Sequence, residues 1–179
     1  IMRKDEDIKK IWMLSDIHWD HPKIIDICSR PISIEEHDEW LLQRINSKID
    51  KKDEVYILGD VSMTNKIDTE KLLDRMNGIK TLIIGNHDNN IKNSTRFREI
   101  TQIKDFTFNS PSYPNVHIVL CHYPISSWNR ACHGSFHIHG HCHGRFDTSG
   151  EPRRLDIGVD CNNYFPVSLE ELLEKFVKL

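Results

Sequence analysis

The stretch Ile79-Lys80-Thr81-Leu82-Ile83-Ile84-Gly85-Asn86-His87-Asp88 decides how this chain is read. Its first six residues form a mostly apolar run that reads as a buried strand. A glycine follows, where the backbone can turn sharply. Then come Asn, His and Asp, which carry oxygen and nitrogen donors. Strand ends are where an α/β sheet builds its site. The same arrangement recurs on both sides. Residues 55–58 run into Gly59-Asp60, and Ile11–Leu14 runs through Ser15 into Asp16-Ile17-His18. Downstream, Val116–Cys121 leads to His122, and Phe136–His139 leads to Gly140-His141-Cys142-His143.

Between the early strands the apolar spacing becomes helical. Pro22 suits a helix start, with residues 23–28 as a short helix. Residues 34–49 carry apolar side chains at 34, 41, 42, 45 and 49 with Trp40, an amphipathic helix. Ser33, with Glu36 three residues on, predicts a capping box at its start. Residues 68–76 read as a helix that stops at Asn77-Gly78. Strand–helix–strand–helix–strand predicts a mostly parallel sheet. Beyond residue 100 come four strands, at Ile103–Phe108, Val116–Cys121, Phe136–His139 and 155–159, which predict a second sheet. A closing helix is expected over residues 168–179, with Ser168 as its cap.

The composition narrows the function classes. At 179 residues the chain reads as one domain, 1–179, with room for a real core. Its 38% hydrophobic and 28% charged residues are ordinary for a soluble globular protein. No apolar run approaches the roughly 20 residues a membrane helix requires. The charged N-terminus lacks a signal-peptide core, which points to a cytoplasmic protein, bacterial or in a phage-infected host. A net charge of −3 without a long basic stripe speaks against dedicated duplex binding. The five cysteines are an odd number and argue against a disulfide framework. Cys121 and Cys142 each precede a histidine and are expected to face away from whatever that histidine faces.

Seven candidate ligands stand at the strand ends: Asp16, His18, Asp60, Asn86, His122, His141 and His143. That is too many for one ion and about right for two sharing a carboxylate. Oxygen and nitrogen donors of this kind suit Mn, Fe, Zn and similar ions. His87 follows a ligand candidate without needing to be one, so it reads as a proton-transfer group. Asp88 is expected to accept its ring N–H and fix its tautomer.

The ordered set D-x-H, G-D, G-N-H-D, a lone His and G-H-x-H resembles the calcineurin-like metallophosphoesterases, in particular a compact subgroup of bacteria and their phages. Cys28-Ser29-Arg30-Pro31, Cys121-His122-Tyr123-Pro124, Ser127-Trp128-Asn129 and Asp156-Ile157-Gly158-Val159-Asp160 resemble that subgroup as well. The resemblance implies an α/β, four-layer αββα sandwich of two mixed sheets flanked by helices, the metallo-dependent phosphatase fold. It implies that Asp16, His18 and His143 hold one metal, that Asn86, His122 and His141 hold a second, and that Asp60 bridges them. It also implies a dinuclear metal-dependent hydrolase of phosphate esters, in which a metal-bridging hydroxide attacks phosphorus in line. Two divalent ions are expected, Mn foremost, with Fe, Zn, Ni or Co as alternatives.

The expected substrate is a small phosphodiester or nucleotide, and a nucleic-acid end also fits an open cleft. A nuclease or phosphomonoesterase of the same superfamily stands beside this reading, as does a non-catalytic interaction scaffold. Arg145 is expected to hold a phosphate oxygen, Trp128 to stack on a base or sugar or else anchor the core, and His133 to touch substrate from the loop of residues 126–135. His139 is expected to support or pack rather than ligate. Asp160 is expected to support a ligand histidine, and His21 to belong to the surface.

Overall fold

A computed structural model describes residues 9–146 and 150–177; residues 178–179, the end of the expected last helix, lie outside the described residues. Strands β1 (Ile11–Leu14), β2 (Glu54–Ile57), β3 (Ile79–Ile83), β4 (Glu99–Thr101) and a late strand at Val167–Ser168 form one sheet. The first four run parallel, and Val167–Ser168 pairs antiparallel with β1 at the sheet edge. Strands β5 (Ile103–Phe108), β6 (Val116–Cys121), β7 (Phe136–His139) and β8 (Arg154–Asp156) form the second sheet in that order, and Val167–Ser168 is β9. β5 and β6 are antiparallel, whereas β6, β7 and β8 are parallel. The expected two mixed sheets with flanking helices are therefore the architecture found.

Side-chain alternation along β1 builds two cores at once. Trp12 and Leu14 pack with Leu41 and Ile45 of α2 (Ile34–Asn46) and Leu73 of α3 (Lys66–Arg75). Met13, between them, faces the other way and joins Ile118, Leu120 and Ile138 of the second sheet. Leu169, Leu172 and Leu173 of the last helix, whose range is Leu169–Val177, seal the same inter-sheet core. Strands buried on both faces read as continuous apolar runs, which is why β1 to β3 were legible.

Several boundaries differ from expectation for local reasons. The Ser33 hydroxyl donates to the Glu36 carboxylate at 2.8 Å and makes no backbone cap, so the expected box does not form. The reciprocal cap forms at the last helix instead. There the Ser168 hydroxyl accepts from Glu171 N at 3.2 Å, and Glu171 Oε2 accepts from Ser168 N at 2.8 Å. Helix α3 starts at Lys66 because Asn65 Oδ1 accepts the Asp68 N–H at 3.0 Å. The strand expected over residues 155–159 ends at Asp156, and Val159–Cys161 winds into a 3-10 turn.

Candidate metal centre

The loops after β1, β2 and β7 converge at one end of the two sheets. Asp16, His18, Asp60, His141 and His143 all adopt left-handed backbone, with φ of 60°, 53°, 56°, 71° and 49°. Non-glycine residues are uncommon there, and such strain collects at functional sites. Backbone hydrogen bonds tie the first two loops together: Asp16 N to Gly59 O at 3.1 Å, His18 N to Asp60 O at 3.0 Å and Trp19 N to Val61 O at 2.9 Å. The Asp16 carboxylate then accepts the His141 N–H, at 2.9 Å from Oδ2 and 3.1 Å from Oδ1, and so joins the first sheet to the second.

Two clusters of donors result. Atoms of Asp16, His18 and His143 lie within 4.8 Å of one another, and so do atoms of Asp60, His122 and His141. One atom links the clusters. Asp60 Oδ2 lies 3.7 Å from His18 Nε2 and 3.5 Å from His122 Nε2. Asn86 Oδ1 is 3.1 Å from the same His122 nitrogen.

The donor set fits divalent cations. His122 Nδ1 donates to Leu58 O at 2.6 Å, which leaves Nε2 facing two acceptor oxygens. That arrangement calls for a proton or a cation between them. His18 is buried, and neither of its ring nitrogens has a hydrogen-bond partner among the described residues. Such a group is costly unless something fills the gap. Burial also pushes His18 down to about 3, so it stays a neutral imidazole, the form able to ligate a metal. Burial pushes Asp16 up to about 6. Burial acts the same way on Asp60, but the His122 hydrogen bond and charge and the His87 N–H outweigh it and hold Asp60 at about 2, an anion.

An outer layer fixes these groups. His143 Nδ1 donates to Asp160 Oδ2 at 2.7 Å, which turns Nε2 toward Asp16. Arg30 is buried and holds Asp160 through two hydrogen bonds while also donating to the Asp16 and Ile17 carbonyls. Gly85 gives Asp60 its space: a Cβ there would sit 2.4 Å from Asp60 Oδ1.

The sequence profile of the family described as calcineurin-like phosphoesterase matches residues 9–160. The chain belongs to this family. Calcineurin-like phosphoesterases are metal-dependent phosphoester hydrolases, and membership implies divalent metal ions. The chain is 35% identical to the uncharacterized protein MJ1445 of Methanocaldococcus jannaschii, over 94% of this chain and 93% of that one. It is 25% identical to the Gene 66 protein of Mycobacterium phage D29, over 86% and 89% of the two chains. The crystal structure of AQ665, a protein of unknown function from Aquifex aeolicus, superposes with a TM-score of 0.75 at 21% identity, covering 94% of this chain and all of that one. The phage relatives agree with the phage-type subgroup that the motifs resemble.

The remaining residues singled out in the sequence divide. His87 stands at the wall of the pocket between the two donor clusters, with Nε2 4.0 Å from Asp60 Oδ2. Asp88 does not serve its ring. Both Asp88 oxygens are turned inward onto the backbone N–H groups of Asp60, Val61 and Gly85, at 2.9, 2.9 and 2.7 Å. It locks the second and third loops together. Trp128 is a core anchor rather than a stacking platform: it is buried, and its Nε1 donates to the Ser135 hydroxyl at 3.0 Å. His133 lines a separate surface cavity of about 510 Å³ with His117 and Arg130, away from the metal clusters. The Arg145 guanidinium donates to the Ile27 carbonyl at the end of α1 (Ile24–Cys28) and does not line the metal pocket.

His21, expected at the surface, lines that pocket beside His18, with ring centroids 5.4 Å apart. Its place three residues past His18 was the only signal available. Ile24 and Ile27 form the apolar side of the same pocket, which no motif announced.

Proposed function

We propose that this phosphoesterase is dinuclear, with Asp16, His18 and His143 on one ion, Asn86, His122 and His141 on the other, and Asp60 shared. The observation that carries this reading is the position of Asp60 Oδ2, within 4 Å of a histidine nitrogen from each cluster. Two close dications repel, and an anionic carboxylate between them offsets that repulsion. Bound there, the ions would supply Lewis acidity and lower the pKa of water toward neutrality. Manganese suits the nitrogen and oxygen donors, with iron, zinc, nickel and cobalt as alternatives.

The chain's own residues supply the rest. His87 is 36% exposed at its side chain, so its ring reaches both the pocket and solvent. It protonates the oxygen that leaves phosphorus and recovers its proton from water. His21 and His141 line the same pocket. The pocket is small and open, about 180 Å³. That size admits a phosphate while both ester substituents extend outward, which favours a small phosphodiester or nucleotide and also admits a nucleic-acid end. All five cysteines are free thiols, which supports a reducing, cytoplasmic setting.

The test is a panel on metal-reconstituted protein: model monoesters and diesters, cyclic nucleotides and short oligonucleotides, with metal content measured alongside. Diester turnover above monoester turnover is expected, with two ions per chain beyond any held by a cysteine thiolate. One ion per chain at full activity overturns the dinuclear reading, and a monoester preference overturns the substrate reading.

A further inference from the structure

The loop that carries His141 and His143 has a second side. His139 closes β7 and is wholly buried. Its Nδ1 donates to the Gly140 carbonyl at 2.8 Å, so Nε2 carries the lone pair, and Nε2 has no hydrogen-bond partner among the described residues. A buried acceptor left in that state asks for a ligand.

Its neighbours are the right kind. His139 pairs with Asp156 in the parallel register of β7 and β8, so the two side chains leave the sheet on the same face. Cys142 reaches the same place from the loop. A donor atom of His139, the Cys142 sulfur and an Asp156 oxygen all lie within 4.8 Å of one another. Asp156 is held in place by the N–H groups of Gly144 and Gly158, each at 2.9 Å, and by a hydrogen bond with the Cys161 thiol. None of the three residues belongs to the proposed catalytic set.

We propose that His139 Nε2, Cys142 Sγ and Asp156 form a third metal site, separate from the catalytic pair and suited to zinc. One nitrogen, one thiolate and one carboxylate are donors that a borderline-soft, tetrahedral ion accepts, with water in the fourth position. Bonds of about 2.0–2.3 Å place neighbouring donors about 3.3–3.8 Å apart, inside the 4.8 Å that bounds this cluster. The Cys142 thiol loses its proton to water on binding. Cys142 lies between His141 and His143, so an ion here pins the loop that presents both of them to the ends of β7 and β8.

Cobalt(II) substitution of the full-length, reduced protein tests this, because a thiolate ligand gives cobalt a near-ultraviolet charge-transfer band. The proposed catalytic ligands contain no sulfur and are silent in that band. Wild-type protein is expected to show it, saturating at one thiolate-bound cobalt per chain. Cys142→Ser is expected to abolish it and to lower zinc content by one ion per chain. Cys28→Ser and Cys161→Ser are the controls and are expected to keep the band, since Cys28 Sγ lies 3.3 Å from His143 Nδ1 and the Cys161 thiol hydrogen-bonds Asp156, which makes both rival thiolates. The site is overturned if wild type shows no band, or if the band survives Cys142→Ser. Asp60→Ala is expected to leave the band intact, so failure of the dinuclear reading and failure of this site give different results.

Discussion

Arg30 grips both oxygens of Asp160, Nε to Oδ1 at 2.9 Å and Nη2 to Oδ2 at 2.8 Å, while the same Oδ2 receives the His143 proton. Residues far apart in the chain thus orient one imidazole. The His143 proton and the Arg30 hydrogen bonds and charge hold Asp160 at about 2, despite burial that pushes it up. Asp160→Asn keeps the shape but weakens the acceptor. It is expected to cost about 10–100-fold in metal affinity or activity. Manganese titration by calorimetry measures this, and wild-type affinity in the variant removes Asp160 from the site's support.

Asp60→Ala is expected to reduce turnover to background and to strip at least one ion, while circular dichroism stays native. The geometry behind this is its single oxygen, which faces His18 and His122 together. Wild-type turnover at low metal concentration contradicts the shared-ligand role.

His87→Ala is expected to keep both ions and to lose on the order of 10²-fold in turnover for esters with poor leaving groups. An activated aryl ester needs little protonation and is expected to suffer much less. An equal loss on both substrates replaces the acid role with binding or charge stabilisation. A loss of metal makes His87 a ligand.

Gly85→Ala places a Cβ 2.4 Å from Asp60 Oδ1 and 2.7 Å from Asp60 N. Neither contact can persist, so Asp60 must move. Metal affinity is expected to fall together with activity, and thermal stability to drop by about 1–3 kcal/mol as in other overpacked sites. Unchanged metal affinity shows that Asp60 tolerates displacement.

Asp53 gives the fold an acid-sensitive latch. Burial raises its pKa, but N–H donors from Asp50, Lys10 and the Trp12 ring outweigh this and hold it below the ordinary value. A depressed carboxylate stabilises the fold fully above its unfolded pKa, about 3.9, and that contribution fades as pH falls through the lower folded value. Asp53→Asn is therefore expected to lower stability near neutrality and to flatten its decline below about pH 4. Thermal melts across pH measure both, and parallel curves for the two proteins remove Asp53 from the acid limb.

The five apolar strands that lead into the motifs were legible because each is buried toward its C-terminal end and runs into a turn with polar donors. β4 and β9 were not, because strands of three and two residues owe their existence to β3 and β1 beside them. Asp88 was misread for a related reason. Its adjacency to His87 suggested a side-chain pair, whereas the turn sends its carboxylate inward to three backbone N–H groups. Arg30 was nearly invisible, since its function depends on Asp160, 130 residues away. Trp128 offered two roles in the sequence, and its buried hydrogen bond to Ser135 selects the core.

The hydrogen bond from His141 N to Asp16 spans 125 positions of the chain. Each cluster likewise draws its members from both ends: Asp16 and His18 need His143, and Asp60 needs His141. A ribosome releases the chain from its N-terminus, so for most of translation neither cluster exists in any form. Complete donor clusters are accordingly a late product of folding, offered only by a chain whose second sheet has already docked, so a metal ion would meet a finished protein rather than a nascent one.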